Sequence, residues 1–402
     1  MSPRPPEARA AGTSPPDLSP GPAATALRDL SPGPAATAPR DAALAVSPGP
    51  AATAIRDLSP GPAATAPGDA ALAVSPGPAA ARPSTRSPDR APILLDGATG
   101  TELERRGARM TAPLWSAHAL LEAPDVVRQI HLDYLRAGAQ VLTTNSFRTH
   151  AQNLAAAGLE RRAAELTRTS VALARAAREQ HAAESPRARE TRIAGAISPI
   201  ADCFRPEHSP GEAALPAHRA IATQLAEAGC DLLLAETFGR VDEARAAVSA
   251  AQGLGLPIWL AVVARPDAHL LSGDTLNSLI AALEGLELAA LLINCTDLQH
   301  LPAALPALLS AAEARPDLAL GLYPHTGHND PVHGWQTHAT DAITFADSVT
   351  ALVDAHPRLS LVGACCGSTP DWISALSARL HPTPQHREAA TTRLTAAVPR
   401  RG

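Results

Sequence analysis

The sequence contains no lysine, so all 34 of its basic residues are arginines. These arginines are spread along the chain, and the net charge of −5 provides no electrostatic basis for nucleic-acid binding. Aromatic residues are scarce, and no stretch approaches the roughly 18 consecutive apolar residues that would span a bilayer. The first ten residues lack the apolar core of a secretory signal. We therefore expect a cytoplasmic protein whose partners are small molecules, with no nucleic acid and no membrane.

Cysteine is also sparse, with five residues in the chain. Two of them, Cys365 and Cys366, are adjacent, and neighbouring cysteines rarely bond to each other because the ring would be strained. Such a set makes a poor disulfide framework and suits a reducing compartment.

Residues 1–90 differ in composition from the rest of the chain and contain a repeat. The octet SPGPAATA, or a close copy, begins at Ser19, Ser31, Ser47, Ser59 and Ser75. A segment this rich in Pro, Gly and Ala offers no periodic apolar face, so burial cannot offset its ordering entropy. We predict a disordered repeat tail, either an expanded repeat without a role of its own or a partner-binding segment. Residues 383–402 are predicted to be a short C-terminal tail.

From residue 91 onward, short apolar runs alternate with longer amphipathic segments, such as 123–138 and 218–230. This alternation favours a parallel sheet covered by helices. Eight such repeats fit a (β/α)8 TIM barrel over residues 91–382 better than an open doubly wound sheet, and the Rossmann glycine fingerprint is missing. The predicted strands are 92–97, 139–145, 192–198, 231–237, 257–263, 289–295, 318–324 and 359–365.

Three cysteines fall at predicted strand ends of this barrel, where its chemistry is located. They are Cys295 after the sixth strand and Cys365 and Cys366 after the eighth. Three convergent thiolates suit Zn²⁺, and three protein ligands leave a position open, as in catalytic zinc sites. The alternative is that they merely pack at the strand ends. Cys230 is predicted to be a core residue, and Cys203 is predicted to be filler in a loop that could approach the site.

The chain resembles the homocysteine S-methyltransferase family from about Pro92 to Leu380. The resemblance is carried, in order, by DGATGTEL (96–103), the long segment 113–147, LLLAETF (232–238), INC (293–295), LYP (322–324) and GACCGSTP (363–370). It implies a barrel, a zinc ion held by Cys295, Cys365 and Cys366, and homocysteine as the methyl acceptor. The chain departs from the family pattern at Ala364, where the family commonly has glycine, and at His325, where it commonly has asparagine.

The resemblance also implies that Asp96 and Glu236 hold the amino group of homocysteine. As an alternative, either carboxylate could cap the helix that follows it. Thr144 and Asn145 are weaker candidates for lining the pocket. The histidines at 131, 150, 208, 328, 333 and 338 are expected to be surface or core residues rather than metal ligands, although His325, His328, His333 and His338 could contribute to a donor pocket.

Zinc coordination would deprotonate a substrate thiol, and three cysteine thiolates would keep that sulfur electron-rich. The expected reaction is methyl transfer from a sulfonium donor, S-methylmethionine or S-adenosylmethionine, to homocysteine, giving methionine. Alternatives within the family are a betaine donor or a selenocysteine acceptor. Outside the family, one alternative is a zinc hydrolase or lyase, which would require histidine or carboxylate ligands. Another is a non-catalytic barrel with an interaction tail, which would be expected to have lost one or more of the three cysteines.

Overall fold

The structure, a computed structural model, describes residues 91–185, 190–330, 334–336 and 340–381. The predicted disordered tail at 1–90 and the predicted C-terminal tail at 383–402 lie outside these ranges. Within them, no helix combines the length and apolar character that crossing a membrane requires.

Eight parallel strands form the main sheet and two further strands form a small antiparallel hairpin. In chain order they are β1 (Ile93–Leu94), β2 (Val141–Thr143), β3 (Arg192–Ile197), β4 (Leu232–Phe238), β5 (Ile258–Val262), β6 (Ala290–Asp297), β7 (Ala319–His325), β8 (His328–Asp330), β9 (Gly334–Gln336) and β10 (Leu359–Val362).

Helices follow the strands of the main sheet. They are α1 (Thr99–Arg105), α2 (Ala117–Glu122), α3 (Pro124–Arg136), α4 (Ala151–Ala155), α5 (Ala163–Glu184), α6 (Leu215–Glu227), α7 (Val241–Ala251), α8 (Leu276–Ala282), α9 (Leu301–Ala311), α10 (Ala342–Ala355) and α11 (Pro370–Leu380).

The main sheet runs in the order β1-β10-β7-β6-β5-β4-β3-β2 with every neighbouring pair parallel. Its two outer strands also meet, because Leu95 and Val141 form a parallel bridge. The Gln140 amide donates to the Leu94 carbonyl at 2.7 Å, and the Asp96 amide donates to the Val141 carbonyl at 3.0 Å. The sheet is thereby closed into a ring, which confirms the predicted (β/α)8 barrel.

All eight predicted barrel strands are present, but several are shorter than expected; β2, for example, covers Val141–Thr143 of the predicted 139–145. The last was predicted to reach residue 365 and ends at Val362, and beyond it the Cys365 amide donates to the Pro324 carbonyl of β7 at 2.8 Å. The first was predicted over 92–97, whereas β1 covers Ile93–Leu94. The hairpin β8–β9 was not predicted.

The helix ends follow from local sequence. Pro124 opens α3, where its missing N–H costs nothing. The helix stops at Gly138, whose φ of 107° is accessible mainly to glycine, and the Ala139 amide reaches back to the Tyr134 carbonyl at 3.0 Å. Gly229 ends the segment of α6 in the same manner, with φ 88°.

Side chains that alternate along the strands fill the interior of the ring. In β4, Leu232 and Leu234 belong to the interior cluster with Trp259, whereas Leu233 packs in the outer cluster beneath the helices. Gly321 is an interior position of β7, and its missing side chain makes room for the neighbouring Leu361 and Leu292. A Cβ added there would lie 2.5 Å from both the Cβ and the carbonyl oxygen of Leu361.

Substituting Gly321→Ala should therefore overpack the barrel interior and lower the free energy of unfolding by about 1–3 kcal/mol, as measured by urea denaturation. The matched control is Gly100→Ala in α1, where the new Cβ would meet only the Met110 methyl at 3.4 Å. That change should be neutral or slightly stabilising, because alanine favours helix. Equal midpoints for the two variants would contradict the packing described here.

Candidate active site and metal centre

Three cysteine sulfurs meet at the rim formed by the carboxyl ends of the barrel strands. The Sγ atom of Cys295 lies 2.7 Å from that of Cys365 and 3.9 Å from that of Cys366, and the latter two are 3.9 Å apart. Among the described residues, they form the one group of His, Cys, Asp or Glu side chains suited to hold a metal ion. The predicted convergence of the three cysteines is therefore present.

The two sequence segments that carry the cysteines are held by backbone contacts. Cys295 lies near the end of β6, with a left-handed φ of 44°. Cys365 and Cys366 lie in the turn after β10, which is tied on one side by the bond from the Cys365 amide to Pro324. On the other side, the Gly367 amide donates to the Thr101 hydroxyl at 3.0 Å.

The donor set fits a zinc ion. A tetrahedral ion with metal–sulfur bonds of about 2.3 Å needs sulfur–sulfur separations of about 3.8 Å, and two of the three separations are 3.9 Å. Hydrogen bonds from the Cys295 and Cys365 thiols hold the pKa of Cys366 well below its usual value. Those same contacts, together with burial, raise the pKa of Cys295. Because neighbouring thiolates repel one another, a bound cation would stabilise the ionised form of all three.

Asp96 follows β1 and is buried. Its carboxylate accepts a hydrogen bond from the Thr143 amide at 2.8 Å and another from the Thr143 hydroxyl at 2.9 Å. Burial raises its pKa to about 7 despite these bonds. Asp96 does not cap α1, because the N-cap of that helix is Ala98.

Glu236 lies within β4 and accepts a hydrogen bond from the Tyr323 hydroxyl at 3.1 Å. Burial raises its pKa to about 8, and the nearby charges of Asp96 and Cys366 act in the same direction. It does not cap α7, whose N-cap is Arg240. In the described ranges, neither the buried Asp96 nor the half-buried Glu236 forms an ion pair, so both carboxyl groups lack a cationic partner there.

Thr144 and Asn145 lie at the end of β2 and are buried. The Thr144 hydroxyl contacts the Ser146 hydroxyl at 2.8 Å and accepts from the Ala196 amide at 3.1 Å, so it links β2 to β3. The Asn145 amide donates to the Ser116 carbonyl at 3.0 Å. Both side chains thus make internal contacts, and their part in lining a pocket stays a prediction.

The remaining cysteines lie outside the metal cluster. Cys203 and Cys230 are both buried, and burial raises the pKa of each thiol to about 12. Cys230 packs beneath Gly195, since a Cβ on that glycine would be 2.9 Å from its sulfur. Cys203 follows β3 and is close enough to feel the charge of Cys366.

The histidines named from the sequence are not part of the metal cluster within the described residues. His131 is fully buried, and burial lowers its pKa to about 4, as expected of a core residue. His150 caps α4 through its ring nitrogen, which accepts from the Asn153 amide. His208 ends a 3₁₀ turn and His328 opens β8. His333 and His338 lie outside the described residues.

The two departures from the family pattern border the cysteines. Ala364 is not among the residues with positive φ, so the backbone accommodates its methyl group without strain. The His325 ring lies edge-on to Trp335, with centroids 5.2 Å apart, and its charge lowers the pKa of Cys366. Trp335 also lies against Gly367, where an added Cβ would be 2.2 Å from the indole nitrogen.

Several contributors to the site were not singled out from the sequence. Tyr134 donates from α3 to the Ala98 carbonyl at 2.8 Å, and Ser368 accepts from the Ala98 amide at 3.0 Å, so both link the turn after β1 to the cysteine turn. Asn294 and Thr237 form a buried pair beside Cys295. The one sequence signal for Thr237 and Asn294 is their position in the chain, directly beside Glu236 and Cys295.

Known proteins resemble this chain across the whole barrel. The family described as homocysteine S-methyltransferase matches residues 93–380. A homocysteine S-methyltransferase of Escherichia coli (strain K12) is 38% identical over 299 residues, covering 71% of this chain and 94% of its own length. A selenocysteine methyltransferase of Astragalus bisulcatus is 32% identical over 311 residues, covering 70% of this chain and 90% of its own length.

A solved structure resembles the chain as well. The crystal structure of the homocysteine methyltransferase MmuM from Escherichia coli in its metallated form matches with a TM-score of 0.63 and 34% identity. The match covers 72% of this chain and 97% of that one. Together with the three-sulfur cluster, a metallated relative supports the predicted zinc cofactor.

The Cys366→Ser variant should lose bound zinc while keeping its secondary structure, because an alcohol is a poor ligand for Zn²⁺ at neutral pH. Zinc content of the purified protein and far-UV circular dichroism check both parts. The matched control is Cys203→Ser, which removes a nearby buried thiol outside the cluster and should retain zinc. Zinc retained at the wild-type level in Cys366→Ser would remove that residue from the ligand set.

Proposed function

Since the chain belongs to the homocysteine S-methyltransferase family, we propose that it transfers a methyl group from a sulfonium donor to the sulfur of homocysteine. The donor is S-methylmethionine or S-adenosylmethionine, and the product from homocysteine is methionine. The observation that carries this proposal is the meeting of three cysteine sulfurs at the barrel rim, in electrostatic range of the half-buried Glu236 carboxyl group.

The three cysteines are proposed to hold the zinc ion. Bound there, zinc would supply the Lewis acidity that removes the proton of the acceptor thiol at neutral pH. Cys295, Cys365 and Cys366 contribute negative charge that offsets the charge of the ion, so the acceptor sulfur remains nucleophilic. Sulfur ligands serve this purpose better than three neutral imidazoles would.

Glu236 and Asp96 are proposed to bind the ammonium group of the acceptor amino acid. Asp96 is buried and Glu236 is half-buried, and the loss of solvation raises the pKa of Glu236 to about 8 and that of Asp96 to about 7. A cation entering between them would stabilise their ionised forms and relieve this cost. Tyr323 orients Glu236 through its hydroxyl, and Thr143 orients Asp96.

In the transfer itself, the bond between the methyl carbon and the donor's sulfonium sulfur breaks as a bond from the acceptor sulfur to that carbon forms. The donor leaves as a neutral thioether, so a cation and an anion react to give neutral products. Such a collapse of charge is favoured where water is excluded. Cys295 is buried at the rim, whereas Cys365 and Cys366 are partly exposed.

Glu236→Gln should raise the KM for homocysteine about 10-fold or more, because a charged hydrogen bond to the ammonium contributes about 1.5–3 kcal/mol. The kcat should change much less, since this contact is present in both the ground and the transition state. Steady-state assays of methionine formation at varied homocysteine test this.

The matched control for Glu236→Gln is Asp231→Asn, at the opposite end of the same strand. There the carboxylate accepts from the Ile193 amide and from Arg178, each at 2.7 Å. This variant should keep the wild-type KM even if its stability falls. An unchanged KM in Glu236→Gln would exclude that residue from ammonium binding.

Parallel assays with S-methylmethionine, S-adenosylmethionine and betaine should give methionine from homocysteine with a sulfonium donor and none with betaine. Turnover with betaine alone would contradict the proposed donor class. Selenocysteine in place of homocysteine tests the other acceptor, which the similarity to a selenocysteine methyltransferase favours as the second candidate.

A further inference from the structure

The Asn294 side chain joins two strands that are not neighbours in the barrel. Its Oδ1 atom accepts from the Thr237 amide at 3.2 Å, and its Nδ2 atom donates to the Thr237 hydroxyl at 2.8 Å. Asn294 lies in β6 and Thr237 in β4, with β5 between them in the sheet. The orientation of the amide is fixed, because a backbone N–H can only donate. Both residues are buried.

This pair, the Asn294–Thr237 clasp, lies where both strands depart from regular geometry. The β4–β5 register shifts between Ala235 and Phe238, and the β6–β7 register shifts between Asn294 and Asp297. Irregularities of this kind re-aim side chains and are frequent beside active sites.

Backbone strain marks the same two positions. Thr237 has φ 67° and Cys295 has φ 44°, in the left-handed region that β-branched residues in particular avoid. Such conformations persist only where the surroundings impose them. The two hydrogen bonds of the clasp join β4 and β6 at these strained positions.

The residues beside the clasp belong to the proposed site. Glu236 immediately precedes Thr237, and Cys295 immediately follows Asn294. The Thr237 hydroxyl, after accepting from Asn294, directs its own hydrogen toward the Cys295 sulfur at 4.0 Å. Asn294 is also connected to Glu236 through Tyr323. Asn294 pairs with Tyr323 in the sheet, and the Tyr323 hydroxyl donates to Glu236.

We propose that Asn294 and Thr237 are positioning residues that set the metal ligand Cys295 and the ammonium-binding Glu236 in one fixed geometry. The clasp holds the two bulged strand ends together, so the place of the acceptor's amino group is defined relative to the metal. Zinc affinity and homocysteine affinity then depend on the same two side chains. This inference rests on the proposed function, since it assigns the residues that align the two halves of that site.

The test is Thr237→Val in the full-length chain, a change of nearly equal volume that keeps the β-branch and removes the hydroxyl. Partners behind a metal ligand typically contribute about 10–100-fold in metal affinity, so Zn²⁺ should bind about that much more weakly. Competition with a chromophoric zinc chelator measures this without any assay of turnover. At saturating zinc, the same variant should show a raised KM for homocysteine.

Two further variants separate positioning from general stability. Thr237→Ser restores the hydroxyl and should return both quantities to near the wild-type values. Thr167→Val removes another buried hydroxyl, bonded to Thr149 at 2.7 Å on the outer helix α5, and should leave both unchanged. If Thr237→Val fails to fold, Thr237→Ala removes the hydroxyl with less crowding, and the same losses are expected.

Zinc affinity and KM at wild-type levels in the hydroxyl-free variants would overturn the inference, as would a Thr237→Ser variant as impaired as Thr237→Val. These outcomes leave the proposed function intact as long as the wild-type protein binds zinc and methylates homocysteine. A wild-type protein that does neither would overturn the proposed function, and this inference with it.

Discussion

Closure of the parallel sheet is the constraint on which the site depends. All eight strands are parallel, so they end at one edge, and the backbone hydrogen bonds between β1 and β2 close that edge into a rim. Closure brings Asp96, after β1, to Thr143 of β2, while β6 and β10 flank β7 on either side, which places the three sulfurs together. Residues 70 positions apart in sequence thus become neighbours within the span of a metal ion.

The rim gathers groups that all become negative when ionised. Two carboxyl groups and three thiols lie there, and in the described ranges neither carboxylate has an arginine partner. Burial therefore raises the pKa of Asp96 and Glu236, and hydrogen bonds among the sulfurs raise that of Cys295. A metal cation and a substrate ammonium are the natural complements of this arrangement. The rim therefore lacks the positive charge that the metal ion and the substrate ammonium of the proposed reaction would supply.

Much of the fold follows from sequence pattern, because buried parallel strands are continuous apolar runs and helices end at glycines such as Gly138 and Gly229. The cysteine cluster also follows, since barrel chemistry lies at strand ends. Strand lengths do not, because Val362 ends a strand through tertiary contacts of the turn beyond it. The left-handed backbone of Thr237 and Cys295 has no sequence signal, as neither residue type favours it. The hairpin β8–β9 is too short to show an apolar period.

The packed interior of the barrel limits the routes by which small molecules can reach the cysteines. Leu234, Trp259, Leu292 and Leu361 are fully buried within the ring, so no passage leads through it from the opposite face. In the proposed reaction, the donor and the acceptor would both enter by the rim that carries the cysteines, and both products would leave by that same rim.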